Sequence, residues 1–154
     1  MTFEPASSHL HGGDGLKNAL RRVFDSQIPN YGDYNLVFAG PEPLEQLPEA
    51  SDSAGRSYVI GYRWKPAELM VAPVQVSDLS GDGAPVAVNM TNLSHAVLWD
   101  DNTYEVGTST GRVFRFAVDD QPVLDVGPGA GLVLEQDEDR IDFDAFMEAF
   151  IQLA

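Results

Sequence analysis

One acidic turn in this chain has the residue types and spacing of the first half of a calcium-binding loop, and it runs from Asp78 to Gly83. Oxygen-bearing side chains at loop positions one, three and five can converge on one cation, and glycine at position six allows the sharp turn. Position twelve is Asn89, which cannot supply the usual bidentate carboxylate. A simple Asp/Ser/Gly turn between strands is the alternative. The candidate calcium ligands are Asp78, Ser80 and Asp82.

A second candidate site consists of aromatic side chains on predicted strands. Strand alternation places three of them on one face, and two more come from later strands. The candidate pocket residues are Tyr58, Tyr62, Trp64, Trp99 and Tyr104. Aromatic strand faces most often belong to the core, but phenol and indole groups also need polar partners. Both a ligand pocket and a packed core therefore stay open.

The sequence lacks the residues that several kinds of catalysis require. The chain has no cysteine, which excludes thiolate catalysis, disulfides and cysteine-ligated metals. No Gly-x-Ser-x-Gly motif is present, and Pro128 removes a backbone donor from the glycine-rich stretch that could cradle a phosphate. The sequence therefore indicates no cofactor and no assigned catalytic residue, and it favours a protein that is not an enzyme.

The net charge limits the classes of partner. The 154 residues include 24 acidic and 9 basic ones, for a formal charge of −15. Binding to nucleic acid through phosphate neutralisation requires clustered Lys and Arg, and anionic membranes attract basic segments. We therefore expect neither nucleic acid nor a membrane as a partner.

The negative charge is concentrated in the second half of the chain. Residues 1–77 hold 6 basic and 9 acidic side chains, net −3, whereas residues 78–154 hold 3 and 15, net −12. The densest group of carboxylates comprises Glu135, Asp137, Glu138, Asp139, Asp142 and Asp144. Such a patch attracts a basic protein and speeds its association. Stabilisation of a helix N-terminus, a halophilic surface and codon bias are the alternatives.

Two helices are predicted, one at each end of the chain. The first begins near Asp14 and has apolar residues at helical spacing from Leu16 to Phe24. The second has an apolar stripe from Phe143 to Ile151, with Asp142 or Asp144 near its positive end. About eight short strands lie between them, most of them in hairpins. Pro73 predicts that its strand lies at a sheet edge or on a bulge.

These patterns predict an α+β fold in which a single antiparallel β-sheet of short hairpin-connected strands packs with an N-terminal and a C-terminal amphipathic helix. Residues 1–13 are expected to form a flexible tail, and residues 14–154 a single domain. Because no apolar run approaches a signal peptide or a membrane helix, we expect a cytoplasmic protein.

The sequence favours a small acidic protein that binds a basic protein, as an inhibitor, an immunity protein or a complex subunit. The order of elements is common among small bacterial domains, but a fold does not determine a function. A small ligand-binding domain or enzyme, with a pocket lined by aromatic side chains and carboxylates, is the alternative.

Overall fold

A computed structural model describes residues 14–28, 31–41, 56–100, 102–127 and 131–154. The predicted tail, residues 1–13, lies outside the described residues. The two α-helices of this part are α1 (Asp14–Asp25) and α2 (Asp137–Leu153), and a short 3-10 helix spans Tyr31–Asp33. Neither α-helix is long and apolar enough to cross a membrane.

Ten strands within the described residues form three antiparallel sheets. The five-stranded sheet comprises β1 (Asn35–Ala39), β2 (Ser57–Arg63), β3 (Glu68–Gln75), β4 (Ser80–Gly81) and β5 (Val86–Asn89). The three-stranded sheet comprises β6 (Leu93–Leu98), β7 (Thr103–Thr108) and β8 (Val113–Ala117). The two-stranded sheet comprises β9 (Val123–Leu124) and β10 (Leu132–Val133).

The fold is thus α+β and antiparallel, as predicted, but the prediction of a single sheet is wrong. The break falls at the turn between β5 and β6, where the Asn92 side chain bonds the Asn89 N–H and the Ala87 carbonyl. Beyond this turn β6 pairs with β7 and not with the first sheet. Among the residues that the structure describes, one isolated bridge, Gly40 to Ala117, joins the two larger sheets.

The hairpin predictions are confirmed by the observed pairing. Strands β2 and β3 pair from Ser57 opposite Val74 to Arg63 opposite Glu68, and β7 pairs with β8. Strands β2 and β8 were predicted from alternating residue types, but the structure buries both faces of each over most of its length.

Pro73 predicted that its strand lies at a sheet edge or on a bulge. The edge is wrong, because β3 lies inside its sheet, and β3 pairs with β2 in unbroken register through Pro73. It pairs with β2 on one side and with both β4 and β5 on the other. On that second side, pairing with β5 ends at Val71 and pairing with β4 begins at Val74. Pro73 lies between these two partners, so its missing N–H removes no ladder bond there.

Two buried clusters lie on opposite faces of the five-stranded sheet. On one face, α2 and the three-stranded sheet cover β2 residues that include Tyr58, Ile60 and Tyr62. On the other face, α1 packs Leu20 and Phe24 against the sheet. Helix α2 begins at Asp137, one turn earlier than predicted, so Asp142 lies in its second turn and not at its positive end.

Candidate functional site

Helix α2 presents a mostly carboxylate-bearing surface to solvent. Over residues 137–148, at 100° per residue, one side of the helix carries Asp137, Glu138, Ile141, Asp142, Ala145 and Glu148, and all six residues are exposed. We call this set the acidic helix face. The one arginine of α2, Arg140, lies off this face and contacts Asp120 and Asp144. The face therefore carries four carboxylates and no basic residue.

Three of the six predicted partner residues contact other parts of the protein. Asp139 forms an ion pair of 3.0 Å with Lys17 of α1. Asp142 and Asp144 accept hydrogen bonds of 2.7 Å from the hydroxyls of Tyr62 and Tyr104. These three carboxylates therefore join α2 to α1 and to both larger sheets, which gives them a structural role.

The remaining three are less constrained. Asp137 accepts a long hydrogen bond of 3.4 Å from Gln121. Within the described part of the chain, Glu135 and Glu138 have no hydrogen-bond or ion-pair partner, and both are exposed. Their role as partner-binding residues stays a prediction.

Ile141 stands among these carboxylates with 71% of its surface exposed, the largest fraction among the exposed large apolar residues of the described chain. An isoleucine side chain that is exposed to water stabilises a complex when another apolar surface covers it, because its apolar area is then removed from water. The acidic helix face thus combines charge with one apolar anchor.

Three tyrosines whose hydroxyls donate hydrogen bonds to carboxylates have raised pKa values. Burial, followed by the hydrogen bond to Asp142, raises the pKa of Tyr62 well above its ordinary value of 10.0, and burial and Asp144 do the same for the pKa of Tyr104. Burial, together with the hydrogen bond to Glu68, raises the pKa of Tyr34 to about 12.

We therefore expect the protein to lose stability in alkali. Below pH 10 both folded and unfolded forms keep these phenols protonated, so the stabilisation is complete. From pH 10.0 upward the unfolded form releases protons first, and the free energy of unfolding falls by about 1.4 kcal/mol per pH unit for each tyrosine. Urea unfolding between pH 8 and pH 12 measures this slope, which the Tyr62→Phe variant should reduce. An unchanged slope in that variant would contradict the assignment.

The five predicted pocket residues do not share one environment. Tyr58, Tyr62 and Tyr104 are buried in the core between the larger sheets and α2. The two tryptophans are exposed, and Trp64 packs edge-on against Phe146 with ring centroids 5.5 Å apart. Tyr104 alone of the five borders the open groove beside Asp144 and Glu148, whose volume is about 420 Å³.

The candidate calcium turn is held by its own side chains. The Ser80 hydroxyl donates a 2.6 Å hydrogen bond to Asp78, and Leu79 between them has a φ of 54°. Asp82 lies 4.0 Å from Arg56. Among the described residues, no group of three or more His, Cys, Asp or Glu side chains is arranged to hold a metal. The calcium assignment to Asp78, Ser80 and Asp82 stays a prediction.

Sequence reasoning missed a polar cluster on the three-stranded sheet. The Glu105 carboxylate lies 2.7 Å from His95 Nε2 and accepts a 3.2 Å hydrogen bond from the indole of Trp99. The Arg115 guanidinium stacks 5.0 Å from the Trp99 ring centroid. Glu105 and Arg115 are cross-strand neighbours, and this register was not readable from the sequence.

Sequence reasoning also missed a groove between α1, β1 and the start of α2. Its volume is about 290 Å³, and its lining includes Lys17 and Arg21 of α1, Leu36 and Phe38 of β1, and Gln136. The sequence predicted both the first helix, with its basic side, and a strand from Tyr34 to Ala39, but it did not predict that the two form one groove.

Comparisons of the chain with protein-family models, curated proteins and solved structures gave no match.

Proposed function

We propose that this protein is a non-enzymatic binding protein that recognises a basic protein through the acidic helix face. The observation that carries the proposal is the exposed Ile141 ringed by carboxylates on a face without Lys or Arg. An inhibitor, an immunity protein or a complex subunit would use such a surface.

The two kinds of side chain on this face have complementary roles in binding. Carboxylates steer a basic partner and accelerate encounter, while an apolar residue at the centre supplies contact area that is lost to water on docking. Helical spacing brings Glu138, Ile141 and Ala145 into one row on the helix. Such a row is complementary to a partner surface that has an apolar patch surrounded by basic residues.

The alternative, a ligand-binding domain or enzyme with an aromatic pocket, has less support. Tyr58, Tyr62 and Tyr104 supply packing area to the core, and Tyr62 contacts Phe143 and Phe146 with ring centroids 5.3 and 5.2 Å away. Rings in such contacts offer little surface to a ligand.

The double variant Glu138→Gln/Glu148→Gln, which neutralises two carboxylates of the acidic helix face, tests the proposal. Both carboxylates lack partners in the described structure, so neutralising them should leave the melting temperature nearly unchanged. A basic protein captured from the source cells and identified by mass spectrometry should associate with this variant about tenfold more slowly at low salt. Surface plasmon resonance measures the rate, and Ile141→Ser should mainly speed dissociation.

The matched control is Asp100→Asn/Asp125→Asn, which removes two exposed carboxylates outside α2. Retention of normal binding by this control supports recognition at the acidic helix face. An equal loss in the control would show that net charge alone attracts the partner. Normal binding by both the Glu138→Gln/Glu148→Gln and the Ile141→Ser proteins would contradict the proposal.

A further inference from the structure

The outer edge of β1 is only partly paired. In an antiparallel ladder, alternate residues direct both N–H and C=O away from the neighbouring strand. Gly40 bonds outward to Ala117, so the alternation also directs the backbone groups of Phe38 and Leu36 away from β2.

Two of these three positions have partners. Gly40 and Ala117 exchange bonds of 2.8 and 2.9 Å. Phe38 donates a 2.9 Å bond to the side-chain oxygen of Gln136 and accepts a 3.0 Å bond from its nitrogen, so this amide takes the place of a paired strand residue. Within the described part of the chain, nothing bonds the N–H or C=O of Leu36.

Leu36 lies in the 290 Å³ groove between α1, β1 and the start of α2, which we call the β1-edge groove. Leu20, Phe38 and Leu134 give it apolar surface, and α1 contributes two cations. Lys17 is paired with Asp139, but both side chains are more than two-fifths exposed, and such pairs contribute little. Arg21 has no carboxylate partner among the described residues.

We propose that the β1-edge groove binds the last residues of an extended peptide that ends in a free α-carboxylate. The peptide backbone pairs with Leu36 N–H and C=O, as in strand addition to an open sheet edge. Gln136 already occupies the next outward position, toward the carboxyl end of β1, so a peptide that runs parallel to β1 must end there with its carboxyl terminus. The Lys17–Asp139 ion pair places a cation at the same end of the groove, where it can meet a chain terminus.

The groove lining carries two cations, Lys17 and Arg21, and one carboxylate, Asp139, and this net positive charge favours a carboxylate ligand. A guanidinium forms short, charge-assisted bonds with a carboxylate, often in a bidentate arrangement. The rest of the protein is strongly negative, but repulsion from exposed charges beyond about 8 Å is largely screened at physiological salt. This site is separate from the acidic helix face and does not depend on the proposed function.

The probe is the tripeptide acetyl-Ala-Val-Leu, compared with the same peptide bearing a C-terminal amide. Titration into 15N-labelled protein should move the Leu36 and Asn35 amide resonances, and the free acid should bind at least tenfold more tightly than the amide. Equal affinity of acid and amide, or no movement of the Leu36 resonance at millimolar peptide, would overturn the proposal.

Three variants locate the site. Arg21→Gln should weaken binding of the acid at least fivefold, while Arg22→Gln, an exposed position of α1 outside the groove lining, should not. Leu36→Pro removes the open N–H without removing a ladder bond and should abolish binding. If that variant fails to fold, the Arg21 and Arg22 comparison decides, since equal affinities in those two variants would overturn the proposal.

Discussion

Replacing Gly61 by alanine is expected to lower the free energy of unfolding by about 1–3 kcal/mol. Gly61 is buried in β2, where α1 crosses the sheet. A Cβ atom there would lie 2.4 Å from Phe24 Cζ and 3.2 Å from Tyr34 Cβ. The first distance is far inside van der Waals contact, so the Phe24 ring and with it α1 must shift.

Urea unfolding measures this effect, and two further variants separate its causes. At Gly40 an added Cβ meets nothing closer than 3.8 Å, so Gly40→Ala should change stability little and controls for the loss of glycine flexibility. The double variant Gly61→Ala/Phe24→Leu should recover part of the loss, because the smaller side chain makes room. Additive losses in the double variant would show that the two residues do not clash.

The sequence predicted the local elements well. Alternation in Tyr58, Ile60 and Tyr62 was enough to place a strand, and the turn residues after it were enough to predict the hairpin. Residue alternation and turn residues did not reveal that β6 belongs to a different sheet from β5. The sheet that β6 joins depends on the direction of the chain after the Asn92 turn. Hairpins are local, whereas membership of a sheet is a long-range property.

The sequence predicted that carboxylates are concentrated near the start of the last helix, but it did not predict which of them are exposed. The bonds from Tyr62 to Asp142 and from Tyr104 to Asp144 join residues 80 and 40 positions apart. No spacing rule marks such pairs. Only the helix period, applied from the true start at Asp137, places Asp139 and Asp144 off the exposed side that carries Glu138.

Gln136 was assigned no role from the sequence, yet replacing its side chain is expected to destabilise the protein strongly. This side chain is 2% exposed and forms three hydrogen bonds, two with the Phe38 backbone and one with the Asp119 carbonyl. Gln136→Leu should lower the free energy of unfolding by about 2–5 kcal/mol, because it leaves the buried Phe38 N–H and C=O without partners. Urea unfolding measures the loss, and amide exchange at Phe38 reports the freed N–H.

The pattern of related variants separates hydrogen bonding from packing. Gln136→Glu keeps an acceptor for the Phe38 N–H but removes both donors, so it should be less destabilising at pH 4, where a protonated carboxyl can donate once, than at pH 7. Gln121→Ala, at an exposed glutamine with one long bond, should change stability by less than about 0.5 kcal/mol. A Gln136→Glu protein as stable as the wild type at pH 7 would contradict the pairing. Because Gln136 closes the edge of β1, its loss should also extend the open edge from Leu36 to Phe38 and promote association between chains.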